Sequence, residues 1–329
     1  MRDRIAVFSA CVLGAALLAS GAPAAAQVSD LKDIKKPALR PFTPQQPLRV
    51  ALPNGMVIFL QQDHELPLIR GSARIRGGSR EEPADKAGLV SIYGQVWRTG
   101  GTKTRKGDEL DDFLEARAAR VETGGGLDSS FLSFDCLKGN LDEVFPVFLD
   151  LLRNPEFRED KLSLAKTQLN TGIARRNDNP LGITAREARK LGYGASSPYA
   201  RVEEYATVAA VTREDLLAWH QARVHPNNMI VSVSGDFDPK AMEARLRKAF
   251  GAWAKGPAAK KVEAAILEAK PGVSFVQKDD VNQSNIRMLH LGTTMKSPDY
   301  HALEVMNEVF GGGFSARLFS NIRSKKGLA

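Results

Sequence analysis

The stretch KAGLVSIYGQVWRTGGT, Lys86 to Thr102, constrains the fold most. Gly88 opens a helix over Lys86–Trp97. Leu89, Ile92, Val96 and Trp97 recur at helical spacing, and Gly100-Gly101 stops it. Such an apolar face belongs against a core. The polar positions hold Ser91 and Gln95, with Gly94 beside them, and none of these is an obvious catalyst. The helix is therefore either an ordinary buried element or a site that has lost its chemistry.

Around it, strand and helix patterns alternate. Arg49–Leu60 and Pro67–Arg76 read as strands joined by the polar turn Gln61–Asp63. A second helix is expected over Gly107–Arg120, with Leu110, Phe113 and Leu114 on one face, then a half-buried strand over Ser129–Leu137. Helical patterning runs from Leu141 to Gly194, interrupted at Asn154-Pro155 and Asn179-Pro180. Helix Arg213–Ala222, strand Met229–Ser234 and helix Pro239–Phe250 follow. Residues 48–254 thus read as one α+β domain. The Ala- and Lys-rich residues 255–271 read as a connection. Residues 272–329 restart the pattern, with strand-like Asn285–Gly292 and helix Pro298–Phe310 ending in Gly311-Gly312-Gly313. This is expected to be the truncated start of a second copy of the unit. Roughly 60 residues with one strand and one or two helices bury little core by themselves.

The first residues give an address. Arg2 and Arg4 precede the apolar run Ile5–Ser20, too short for a comfortable membrane span, and Ala24-Ala25-Ala26 offers a cleavage pattern. Residues 1–26 read as a secretory leader to a bacterial periplasm, with no stable membrane span in the mature chain. Residues 27–47, punctuated by Pro37, Pro41, Pro44 and Pro47, read as a linker. Cys11 leaves with the leader, so Cys136 stands alone, without an internal disulfide or a Cys-rich metal site. It alternates with Leu132 and Phe134 and reads as a buried apolar residue. The net charge of +8 suggests affinity for acidic surfaces or peptides. The Lys and Arg residues are scattered, with no basic block interleaved with aromatics, which argues against nucleic acid.

Three segments carry a family resemblance. LPNGMVIFLQQDHELP with GGSREEPADKAGL comes first, SSPYARVEEYATVAAVTREDLLAWHQARVHPNNMIVSVSGDFDP second, and FGGGFSARLFSNIRSKKGLA last. In that order they resemble the first-domain entry, the later helix–strand segment and the second-domain start of the M16 (pitrilysin, or insulinase-like) metallopeptidases. The resemblance runs from about Leu48 to the last residue. It implies a LuxS/MPP-like α+β domain, an antiparallel-rich sheet packed against helices, followed by the start of a similar domain.

Active members of that family carry H-x-x-E-H on the helix: two zinc-binding His one turn apart and a Glu that activates the metal-bound water. A further Glu downstream completes the ligands. On that pattern Ser91 and Gln95 occupy the His positions, Gly94 that of the catalytic Glu, and Gly172 that of the downstream ligand. No His or Glu occurs between Ala84 and Gly107. His64 lies in a turn, His220 and His225 are too far apart to share a helix face, His290 sits in a strand pattern and His301 near a helix start. All read as core or surface residues. The chain is expected to have no catalytic residues, metal or cofactor of its own.

The resemblance also implies a role. Some family members work in pairs, one subunit bearing zinc. The zinc-less subunit contributes a second-domain Arg and Tyr that hold the substrate and polarise its carbonyl. IRSKKGLA places Arg323 at the Arg, with the Tyr position just past Ala329. Gly311, Gly312 and Gly313 resemble the glycine-rich segment near the substrate, and equally read as a helix stop. The expectation is a non-catalytic subunit that binds unfolded peptide and pairs with a zinc-bearing partner in the cell envelope. The alternatives are a structural or interaction protein of the same fold without a peptide role, and an active enzyme. Ser91 as a nucleophile has no His or acid placed beside it.

Overall fold

The computed structural model describes residues 38, 41, 43–257 and 271–328. The expected leader and most of the two expected linkers, 27–47 and 255–271, lie outside the described residues. All described secondary structure falls in the compact unit Gln46–Ala329.

Six strands form one sheet: β1 (Leu48–Ala51), β2 (Val57–Gln62), β3 (Leu68–Arg76), β4 (Arg120–Gly125), β5 (Ser129–Leu137) and β6 (Met229–Gly235). Their order is β1-β2-β6-β3-β5-β4. Every neighbouring pair is antiparallel except β2–β6. The helices are α1 (Leu89–Thr99), α2 (Gly107–Glu115), α3 (Leu141–Arg153), α4 (Glu159–Arg175), α5 (Pro180–Tyr193), α6 (Tyr205–Ala210), α7 (Arg213–Arg223), α8 (Pro239–Phe250) and α9 (Tyr300–Asn307).

The strands alternate because one face is dry. In β5, Leu132, Phe134 and Cys136 point into the core while Phe131, Ser133 and Asp135 point out. In β3, Ile69, Ala73 and Ile75 point in while Arg70, Ser72 and Arg74 point out. A half-covered antiparallel sheet requires this pattern. Helices α1, α3 and α8 pack on the inner face, against β4, β5 and β2 respectively.

An aromatic anchor holds α1 in this layer. Tyr93, Trp97, Phe157 and His220 pack ring against ring, with centroids 5.1–6.0 Å apart. The C-terminal carbonyls of α3 have no partner inside their own helix. Trp97 Nε1 donates to the Leu151 carbonyl at 2.7 Å, and His220 Nε2 donates to that of Leu152 at 3.1 Å. His220 Nδ1 must then accept from the Tyr93 hydroxyl, at 2.9 Å. Burial lowers the His220 pKa to about 4, outweighing the Leu152 carbonyl, and pushes the Tyr93 phenol well above its ordinary value.

Several expectations shift by identifiable causes. The helix expected over Lys86–Trp97 starts at Leu89, because Gly88 has φ +101° and Ala84–Lys86 forms a separate 3-10 turn. Arg49–Leu60 is two strands, since Pro53-Asn54-Gly55 turns the chain and Asn54 Nδ2 ties that turn to the Phe250 carbonyl. The helix expected to reach Arg120 ends at Glu115, and Arg120–Gly125 is an edge strand. Asn285–Gly292, expected as a strand, is irregular and has no ladder partner among the described residues. Pro298–Phe310 is helical only from Tyr300, and passes into a π-helical turn at Glu308–Gly312. Within 271–328 only Ala316 is buried among the described residues, and Val273, Phe275, Ile286, Met288, Met295 and Phe314 are at least 80% exposed. This segment has no core of its own.

The low His220 pKa fixes a pH dependence. A histidine whose folded pKa lies below its unfolded value of 6.5 contributes stability above pH 6.5, and that share is lost as pH falls towards 4. The loss is about 3 kcal/mol. Urea unfolding across this range is expected to show a steeper fall for the native chain than for His220→Gln; parallel curves would contradict the assignment.

Candidate functional site: the α1 face

The N-terminus of α1 is set by Glu82, which is buried. Its carboxylate accepts the Gly88 N–H at 3.0 Å and the Val90 N–H at 2.9 Å, the donors a helix start leaves open. Burial raises the Glu82 pKa, and the two N–H bonds only partly oppose it. The apolar residues Leu89, Ile92, Tyr93, Val96 and Trp97 then enter the core. Ser91 and Gln95 are left exposed, one turn apart on the same face.

Gly94 is buried and faces β4. A Cβ there would lie 2.3 Å from Gly125 N and 2.7 Å from the Gly124 carbonyl carbon. From the other side, a Cβ on Gly125 would lie 2.3 Å from the Val90 carbonyl oxygen. Helix and strand therefore meet backbone to backbone. The Thr123 hydroxyl donates to the Gly94 carbonyl at 2.6 Å, and Arg98 Nε donates to the Val121 carbonyl at 3.1 Å.

The fourth expected position, Gly172, is exposed on α4, with open space around its Cα. The residue that meets α1 is Gln168, one turn earlier: its Oε1 accepts from Gln95 Nε2, joining the two helices. Sequence reasoning missed Gln168. Its signal is its place four residues before Gly172, on the same face of α4.

These groups do not fit zinc. A structural or catalytic site needs three or four imidazole, thiolate or carboxylate donors at about 2.0–2.3 Å. The α1 and α4 positions offer a hydroxyl, two carboxamides and two glycines. Among the described residues, no three of His, Cys, Asp and Glu come together as a metal-binding group. His220 is in the core, His64 pairs with Asp236 at 2.6 Å, and His301 lies 3.3 Å from Glu304. His225 is half-buried and His290 exposed.

Arg323 lies in a second π-helical turn, Phe319–Lys325, with its guanidinium 5.0 Å over the Phe319 ring. Phe319 meets Phe314 edge-on at 4.9 Å. Gly311 and Gly312 end the first π-helical turn, and Gly313 is extended. Among the described residues, no hydrogen bond or ring contact joins Arg323 to Ser91 or Gln95.

The profile described as insulinase (peptidase family M16) matches residues 60–191, and that described as the M16 inactive domain matches 210–329. The chain belongs to the M16 peptidase family. A Mycobacterium leprae relative named as an uncharacterized zinc protease is 26% identical over 85% of this chain and 64% of its own length. A Helicobacter pylori relative named as a non-peptidase homologue is 24% identical over 83% of this chain and 63% of its own. The M16 chain thus spans somewhat less than two thirds of these relatives. Among solved structures, an M16 inactive domain from Pseudomonas fluorescens superposes with a TM-score of 0.73 at 21% identity, over 85% of this chain and 68% of that one. The periplasmic protease PqqL from Escherichia coli gives 0.59 at 20% identity, over 68% and 26%. The mixed sheet-and-helix fold is that of M16 peptidases.

The contact between α1 and β4 predicts an inverted glycine effect. Ala in place of Gly within a helix normally gains about 1 kcal/mol. Here the added methyl meets rigid backbone, and overpacking costs about 1–3 kcal/mol or more. Gly94→Ala is expected to lose about 2 kcal/mol in urea unfolding, whereas Ser91→Ala stays within about 0.5 kcal/mol. A stabilised Gly94→Ala chain would contradict the packing.

Proposed function

We propose that this M16 chain is a non-catalytic subunit that binds peptide in extended form and pairs with a zinc-bearing M16 partner in the cell envelope. What carries the reading is the α1 face, where Ser91, Gly94 and Gln95 would stand in the H-x-x-E-H frame and a hydrogen bond from the Gln95 amide to that of Gln168 crosses to α4. Zinc in this scheme belongs to the partner. The leader-like N-terminus and the fold shared with a periplasmic protease support the location.

Strand β4 supports the binding role. Among the described residues it pairs only with β5, so one edge remains available to an extended chain. Backbone hydrogen bonds at such an edge give affinity without demanding one sequence. Arg323 would serve the partner's reaction. A guanidinium is a permanent cation with planar donors, suited to a carbonyl oxygen that gains charge. Gly311–Gly313 would allow the peptide close to the backbone.

Co-expression with a zinc-bearing M16 protein from the same organism tests this. The two chains are expected to co-purify, and the pair to cleave unfolded peptide faster than the partner alone. Arg323→Ala is expected to lower kcat/KM of the pair by about tenfold or more, mainly through kcat. Failure to associate with any such partner would overturn the reading. A stable complex that neither binds nor cleaves peptide would leave a structural role in its place.

A further inference from the structure

We infer that the open face of the sheet is a trough for an extended peptide in which acidic and apolar side chains alternate. The inference rests on the peptide-binding reading above and adds the class of peptide. It concerns the face of the sheet, not the β4 edge.

The strand register builds the trough. Ser232, Ser72 and Ser133 lie side by side across β6, β3 and β5, and Ser72 Oγ meets Ser232 Oγ at 2.9 Å. Phe59 on β2 bounds the serines on one side, with Arg49 of β1 beyond it, and Glu122 on β4 bounds them on the other. Short hydroxyl side chains make a low floor, and longer ones flank it. A hollow of about 570 Å³ lies over the serine row and the row that carries Arg70, Asp135 and Arg120. From Phe59 to Glu122 there are four strand spacings of ~4.8 Å, which is room for roughly six residues of extended chain.

The two walls differ in chemistry. One row runs Ser234, Arg70, Asp135, Arg120 across the strands. Arg70 Nε holds Asp135 Oδ2 at 2.6 Å, and Arg120 has no ion-pair partner among the described residues. A single carboxylate thus stands between two guanidiniums. The opposite row, beyond the lining of the hollow, runs Ile230, Arg74, Phe131, with Ile230 47% and Phe131 39% exposed on either side of the exposed Arg74 guanidinium. An extended chain lying on the serine floor sends alternate side chains to opposite walls. Carboxylates would meet Arg70 and Arg120, and apolar groups would cover Ile230 and Phe131. Glu122, at the β4 end, sets the limit of the acid preference.

Fluorescence anisotropy with labelled, capped hexapeptides of alternating Glu-Leu, Lys-Leu, Gln-Leu and Glu-Ser tests this on the whole chain. Glu-Leu is expected to bind at least about tenfold tighter than Lys-Leu, with the difference shrinking as salt is raised. It should also exceed Gln-Leu and Glu-Ser, which each lack one of the two features. Ser72→Phe fills the floor and is expected to abolish binding; Arg120→Glu should weaken Glu-Leu about tenfold. Both positions face solvent, and unchanged unfolding temperatures confirm the fold. Equal or tighter binding of Lys-Leu, or full affinity in Ser72→Phe, would overturn the trough and leave the peptide-binding reading standing. Binding of none of the four peptides would overturn both.

Discussion

Helix α1 rests on strand β4 with no side chain between them at Gly94 and Gly125. Both residues lack the Cβ that would otherwise strike the opposite backbone at 2.3 Å. The contact is fixed from three sides. Thr123 and Arg98 tie the two backbones together, Glu82 holds the first turn, and the Tyr93–Trp97–His220 cluster anchors the last turns to the end of α3. The space into which a side chain at residue 94 would extend is therefore occupied by strand backbone. A longer side chain at residue 94 would have to displace α1 and everything packed beneath it.

The remaining polar face is built for adhesion between elements. Gln95 and Gln168 bridge α1 and α4 as neutral amides, which hold two helices together without the convergent charge a divalent cation needs. Among the described residues the sheet has a covered inner face, an outer face without a helix layer, and a β4 edge without a strand partner.

Much of this was legible in the sequence where local signals were unambiguous. Leu132, Phe134 and Cys136 alternate with polar residues in Ser129–Leu137, and Asp238 caps α8 by accepting the Ala241 N–H, so both elements have their expected bounds. Strand β4 was not legible, because RVETGG ends in two glycines, which weaken a strand pattern; Gly125 is there for contact with α1, and Gly124 for contact with the Phe131 ring. The short helix α6, YATVAA, is too brief for periodicity to reveal. At the site, the spacing of Ser91 and Gln95 predicts a shared exposed face, and the structure has it. The place of Gln168 one turn before Gly172 marks its face of α4, but its pairing with Gln95, 73 residues away, depends on how two helices are set side by side. The reason for Gly94 was hidden likewise: a missing Cβ has meaning only against the strand that it admits.

The donor set on the α1 face does not fit a divalent metal. The direct measurement is the metal content of the purified chain after loading with excess zinc and exhaustive dialysis. Zinc far below stoichiometric is expected. A stoichiometric, tightly held zinc that is lost on substituting Ser91 or Gln95 would contradict it.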